Sequence, residues 1–124
     1  MFPRYRKFRR EDKNWGKSNY IELIEKLSNE LNVKVAILGE PAQVCFRDGT
    51  PIDTFNLIDI PEDIRMDAHL ALLEHASLAI GSLSGALLVA MATNCKTLAW
   101  SWRSEGPRFY NENFMNTPCV YHPI

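Results

Sequence analysis

Segments with helical periodicity alternate along this chain with short apolar runs that are typical of buried strands. Asn19 to Leu31 carries apolar residues at helical spacing, and Ser18 stands in the N-cap position. The run Val33 to Leu38 follows it, is rich in β-branched residues and is closed by Gly39. Because the connections between such segments are short, the pattern favours strand–helix–strand units with parallel strands.

The same alternation continues through the second half of the chain. We predict a strand at 56–60, a helix that starts at 61–67 and runs through 68–76, and a strand at 78–80. A turn at 81–85, a helix at 86–93 and a strand at 96–100 follow. In the helix at 68–76 we expect Leu70, Leu72 and Leu73 to face the core. The fold class is therefore α/β, as one domain over 1–124, a three-layer αβα Rossmann-like sandwich with a mainly parallel sheet and right-handed crossovers.

Composition excludes several classes of protein. With 46% apolar residues the chain is not disordered, and no stretch is apolar enough to span a membrane. The first ten residues lack the apolar region of a signal peptide, and three widely spaced cysteines without a CxxC pair are typical of reduced thiols. We therefore expect a cytoplasmic protein. The histidines show no metal-ligand spacing, so we expect no metal and no cofactor.

The charge is unevenly distributed. Residues 1–17 form a basic segment with seven basic and two acidic side chains, whereas the rest of the chain has seven basic and thirteen acidic ones. Such a segment binds nucleic acid, an anionic membrane or a phosphorylated ligand, or it is simply a solvated terminus. Phe2, Tyr5 and Phe8 interleave with its basic residues, as in segments that stack on single-stranded nucleic acid.

The loops that follow the predicted strands are the natural place for a ligand. In an open parallel sheet, ligands bind beyond the carboxyl ends of the strands. The turn Gly81 to Gly85 precedes a helix there, and free backbone N–H groups together with the Ser84 hydroxyl suit an anion. The alternative is a tight turn that Ser84 merely caps. Lys13 adds a mobile positive charge near the same edge.

Several short motifs, in this order and spacing, resemble one known family. They are Pro3-Arg4, Asp12-Lys13-x-Trp15, Val35 to Glu40, Ala76 to Gly85, and Thr97 to Trp100. Over residues 2–102 the chain resembles the C-terminal domain of glycosyltransferase family 9, which contains the ADP-heptose:lipopolysaccharide heptosyltransferases.

The resemblance implies the donor domain of a two-Rossmann-domain glycosyltransferase that transfers a sugar from a nucleotide diphosphate without a metal, in lipopolysaccharide or related glycan synthesis. By this resemblance Lys13 contacts the donor phosphates and Glu40 holds the ribose hydroxyls. Ser84 and Gly85 form the turn at the diphosphate, and Met66, or Ile64 beside it, packs near the nucleobase. The implied partner is a nucleotide sugar, and the alternative is a non-catalytic α/β module whose basic arm binds a phosphorylated partner or nucleic acid.

The chain also departs from the family. Leu83 and Leu88 stand where the heptosyltransferases have Asp and His. The acceptor-binding domain that supplies the catalytic base has no counterpart here, so we expect a fragment without transferase turnover of its own. The domain's first strand, which is central in such sheets, is missing too. Either Met1 to Tyr5 partly fills its position or an edge stays open, and for an open edge we expect self-association.

Overall fold

The computed structural model describes residues 1–8, 11, 14–51, 53–82, 84–101 and 119–123. Within these residues the chain forms three helices and five short strands. The helices are α1 (Lys17–Leu31), α2 (Glu62–His75) and α3 (Gly85–Ala92). The strands are β1 (Val35–Ile37), β2 (Thr54–Asn56), β3 (Ala79–Ser82), β4 (Thr97–Ser101) and β5 (Cys119–Pro123).

All strand pairs in the described residues are parallel. β1 pairs with β2, and β3, β4 and β5 pair in that order. The expectation of a mixed α/β chain with parallel strands is therefore confirmed. β5 is a strand that sequence reasoning did not predict, because no alternation of apolar residues marks its five residues.

The first residues of the chain lie between the two groups of strands. The Met1 nitrogen donates to the Ala36 carbonyl oxygen at 2.7 Å, and the Leu38 N–H donates to the Met1 oxygen at 3.0 Å. On the other side the Phe2 N–H donates to the Ile80 oxygen at 2.9 Å, in a parallel bridge to Gly81. Of the two expected outcomes for the missing strand, the structure therefore shows the one in which this segment fills the gap.

Pro3 turns the segment out of the sheet because it has no N–H to donate to a strand neighbour. The Arg4 N–H bonds back to the Phe2 oxygen, and residues 3–5 then pair with residues 43–45. The Cys45 N–H donates to Pro3 and the Tyr5 N–H to Gln43, at 3.0 and 2.8 Å. Residues 3–5 of the basic segment are thus fixed at the carboxyl end of β1.

Two buried clusters receive alternate residues of the strands, as the period of two along a strand requires. The first, here the α3 cluster, packs against α2 and α3 and contains Phe2, Leu38, Leu73, Ala79, Leu87, Ala90, Met91, Cys95 and Ala99. The second, the α1 cluster, contains Met1, Tyr20, Ile24, Val35, Ile37, Val44, Phe46, Ile58, Ile80 and Trp100. Neighbouring residues such as Ala79 and Ile80 thus belong to opposite clusters.

α1 starts earlier than the predicted helix. It begins two residues before Asn19, with Gly16 at its N-cap at φ +97°, so Ser18 is a residue of the first turn and not the cap. α2 begins at Glu62, within the predicted start at 61–67, and Glu62 and Asp63 interact favourably with the positive end of the helix dipole. Of its leucines, Leu73 is buried, while Leu70 and Leu72 are half-buried.

β2 lies two residues earlier than the predicted strand. The side chain of Asn56 ends it, because its Oδ1 accepts the N–H of Ile58 at 2.9 Å and draws the backbone into a turn. Ile58 then enters the α1 cluster. The apolar run at 56–60 therefore reflects burial after the strand and not the strand itself.

Self-association stays a prediction, now for the free edge of β2. Among the described residues β2 pairs with β1 alone, and Phe55 on it is 56% exposed. We expect concentration-dependent association in sedimentation at micromolar concentration, because an uncovered strand edge pairs with other chains. Phe55→Lys should reduce it, whereas Ile64→Lys, at a helical residue of 51% exposure, should not. A monomer at every concentration would contradict this prediction.

Candidate functional site

A cavity of about 260 Å³ opens at the carboxyl ends of β1 and β3. Four parts of the chain line it: the N-terminal segment, the loop after β1, one face of α2 and the start of α3. The lining residues are Phe2, Arg4, Arg6, Leu38, Gly39, Glu40, Gln43, Val44, Met66, His69, Leu73, Ser84, Gly85, Ala86 and Val89. This is the edge at which parallel sheets bind ligands.

The cavity brings together most of the predicted site. Glu40, Met66, Ser84 and Gly85 all line it, although they come from three separate parts of the chain. Met66 and Ile64 were the two residues expected near the nucleobase, and of these Met66 lines the cavity. Lys13 and Leu83 lie outside the described residues.

An ion pair holds Glu40 at the rim. Its Oε2 accepts from Arg65 Nη1 at 2.6 Å, and Arg65 Nε donates to the Ile60 oxygen at 3.0 Å. The Arg65 side chain is only 12% exposed, so α2 and its preceding loop fix the guanidinium. Pro41, the first residue of a 3₁₀ turn at Pro41–Gln43, restricts the backbone after Glu40. Glu40 thus presents a carboxylate whose position is determined by a neighbour on α2.

The start of α3 faces the cavity with small residues. Ser84 stands at the N-cap of α3 with an extended backbone, and its side chain makes no capping hydrogen bond to the helix, so the side-chain cap considered from the sequence is not made. A Cβ placed on Gly85 would meet no heavy atom within 4 Å. The first N–H groups of a helix have no partner within it, so this end can donate to an anion that approaches closely.

The remaining wall is mostly apolar. Phe2, Leu38, Leu73 and Val89 line it beside the half-exposed Met66. His69 is buried, and its Nε2 lies 2.9 Å from the Leu57 oxygen. Because a carbonyl oxygen only accepts, Nε2 carries the hydrogen, and the ring is held in place from behind. An apolar wall with polar groups at its margin is common in small-molecule sites.

Four contributors to the site were not assigned to it from the sequence. Arg4 and Arg6 line the cavity and belong to the basic segment. The sequence signals that could have assigned them to the site were the excess of basic residues in this segment and its position next to a strand end. Gln43 and Arg65 gave no signal, since neither belongs to a motif and their role depends on tertiary contacts.

Other chemistry finds less support in the described residues. Burial raises the pKa of the Cys45 thiol to about 11, so this group is not a thiolate at neutral pH. No group of three metal-ligating side chains forms in the described part of the chain. Of the three aromatic residues that interleave with the basic ones, Phe2 is buried in the α3 cluster, whereas Tyr5 and Phe8 are exposed.

No helix among the residues the structure describes has both the length and the apolar character needed to cross a membrane. Comparison of the chain with family models, with curated proteins and with solved structures finds no match. The geometry of the cavity is therefore the feature of this protein that points to a function.

Proposed function

We propose that this chain binds a nucleotide-diphosphate sugar, as the donor domain of a glycosyltransferase of the family 9 type. One observation carries the proposal. The residues that the family resemblance assigns to ribose, diphosphate and nucleobase, namely Glu40, Ser84, Gly85 and Met66, line one cavity at the carboxyl edge of parallel strands.

The chemistry of the lining supports the same ligand class. A carboxylate accepts hydrogen bonds from sugar hydroxyls, and an apolar wall with Met66 suits a flat base. The small residues at the start of α3 let a diphosphate approach the backbone. The volume of about 260 Å³ is just below the roughly 300–1,000 Å³ of common ligand pockets. A cavity of this volume suits the nucleoside part of the ligand, with the donor sugar outside the cavity.

We further propose a three-layer Rossmann-like architecture for the domain. Support comes from the alternation of strand residues between the α1 and α3 clusters, since α1 contributes to one and α2 and α3 to the other. The N-terminal segment, bonded to β1 and to β3, would then stand in the position of the central first strand. The cavity lies beyond the carboxyl ends of the strands on both sides of it.

Calorimetry with ADP, GDP, UDP and CDP, each beside its 2′-deoxy form, tests the proposal. We expect at least one ribonucleotide to bind, and Glu40→Gln to weaken it roughly 10- to 100-fold, as for loss of a hydrogen bond to a charged group. The variant should also lose any preference for ribose over deoxyribose. Glu22→Gln is the matched control, because Glu22 is likewise an exposed glutamate in an ion pair, with Lys26 at 2.8 Å.

Two results would count against this assignment. If no nucleotide binds the unaltered chain at millimolar concentration, the proposed function is rejected. If a nucleotide binds and Glu40→Gln binds it equally well, Glu40 has no part in holding the ribose. Thermal melts of both variants establish that the fold is retained.

A further inference from the structure

Two arginines of the basic segment line the cavity. Arg4 forms an antiparallel bridge with Val44, and Arg6, two residues further on, lines the same cavity. Tyr5 between them is exposed. Arg4 is only 8% exposed, which is unusual for a charged side chain and places its guanidinium within the folded structure.

The backbone that carries these arginines is held from two sides. Asn14 Oδ1 accepts the Arg6 N–H at 2.9 Å and Arg4 Nη1 at 3.3 Å, and Asn14 Nδ2 donates to the Arg6 oxygen at 2.8 Å. On the other side the Tyr5 N–H donates to the Gln43 oxygen. Residues 4–6 are therefore a fixed wall of the cavity and not a loose terminal arm.

The charge of Arg6 is not neutralised by Glu40, the carboxylate among the described lining residues. Arg6 Nη2 donates to Gln43 Oε1 at 3.3 Å, and that amide oxygen is a neutral acceptor. Glu40, the one carboxylate among the described lining residues, is engaged by Arg65 at 2.6 Å. The Arg6 guanidinium thus lines the cavity with a neutral partner, while this carboxylate already has a partner on α2.

We propose that Arg6, on the wall it shares with Arg4, binds a phosphate group of the ligand, and that it determines the preference for a phosphorylated over an unphosphorylated nucleoside. This rests on the proposed nucleotide-sugar function. A planar guanidinium donates two parallel hydrogen bonds to a phosphate, which a lysine cannot do. The Gln43 contact is neutral and partly solvated, so a phosphate oxygen can replace it at little cost.

The decisive variant is Arg6→Gln, with Lys7→Gln as the matched control. Lys7 is the adjacent residue, carries the same charge and lies over the Phe8 ring instead of lining the cavity. The backbone bonds of Arg6 to Asn14 do not involve its side chain, so the variant should fold, which a thermal melt checks. Calorimetry then uses three probes: the nucleoside diphosphate that binds best, its nucleoside and inorganic pyrophosphate.

We expect Arg6→Gln to weaken diphosphate binding roughly 10- to 100-fold and to leave nucleoside binding within about twofold, because only the charge-assisted bonds are lost. Lys7→Gln should match the unaltered chain for every probe. Binding of pyrophosphate should be measurable for the unaltered chain, lost in Arg6→Gln and weaker at high salt.

Equal diphosphate affinity of Arg6→Gln and the unaltered chain would overturn the inference while the proposed function stands. An equal loss for nucleoside and diphosphate would also overturn it, since Arg6 would then only shape the cavity. If pyrophosphate binds through Arg6 but no nucleotide does, the phosphate site is upheld and the nucleotide-sugar function fails.

Discussion

Gly81→Ala should destabilise the domain by about 1–3 kcal/mol or more, as overpacking at a site that cannot relax does. A Cβ at this position would lie 2.7 Å from the Phe2 carbonyl oxygen and 3.1 Å from the Phe2 Cβ. Since the nearest atom belongs to the backbone, no side-chain rotation relieves the overlap. The N-terminal segment must move away from β3, and the Phe2 N–H bond to the Ile80 oxygen at 2.9 Å is lost or stretched.

The measurement is a thermal or urea melt, in which about 1 kcal/mol corresponds to roughly 4 °C for a domain of this size. Gly85→Ala is the control, because its new methyl group meets no atom within 4 Å. Its melting temperature should equal that of the unaltered chain. Displacement of the segment would also move Arg4 and Arg6, so ligand binding should weaken in Gly81→Ala. A melting temperature equal to that of Gly85→Ala would show that Phe2 does not contact β3 this closely.

Gly39→Ala should lose stability for two separable reasons. Its φ of +138° is a region that residues with a Cβ adopt at a cost of about 1–3 kcal/mol. The added Cβ would in addition lie 2.5 Å from Val44 Cγ1, and Val44 is buried in the α1 cluster with little room to move. Because Gly39 and Val44 both line the cavity, the change also distorts the site.

Gly49→Ala separates the two effects, since Gly49 has a similar φ of +130° with no atom within 4 Å of its Cβ. We expect Gly49→Ala to lower the free energy of unfolding by the backbone strain alone, and Gly39→Ala to lower it by more. In urea melts the double variant Gly39→Ala/Val44→Ala should be more stable than the sum of its single variants predicts, because removing the valine methyl groups relieves the overlap. Additive losses would show that Val44 is not the obstacle.

Local sequence patterns were enough for the order of the elements from α1 to β4, but they did not predict β5. The helical spacing that ends at Leu31, the run before Gly39 and the apolar stretch before Cys95 each correspond to an observed helix or strand. Errors arose where burial and periodicity diverge. The first turns of α2 are mostly polar, so the sequence placed its start within 61–67 without determining the first residue. Asn56 ends β2 through its own side chain, which an apolar run does not reveal.

The candidate site was predictable to the extent that it follows from strand ends. Gly85 could be named because it closely follows an apolar run, and parallel strands bring their carboxyl ends to one edge. Glu40 comes directly after the run closed by Gly39, but it was the family resemblance that named it. Arg65 could not be named, because its role depends on the 2.6 Å contact with Glu40 across 25 positions of sequence. The hydrogen bond between Arg6 and Gln43, 37 positions apart in sequence, likewise could not be predicted, because it depends on a tertiary contact.

The sequence by itself determined the α/β character of the chain and the edge at which its loops collect, because periodicity and glycine positions act over a few residues. Only the tertiary structure decided that Met1 and Phe2 occupy the gap between β1 and β3. Pro3 argued locally against a strand there, yet two backbone partners, in Ala36 and Ile80, and burial of Phe2 outweigh it. Such pairing is a sum of contacts between distant residues, and no local pattern records it.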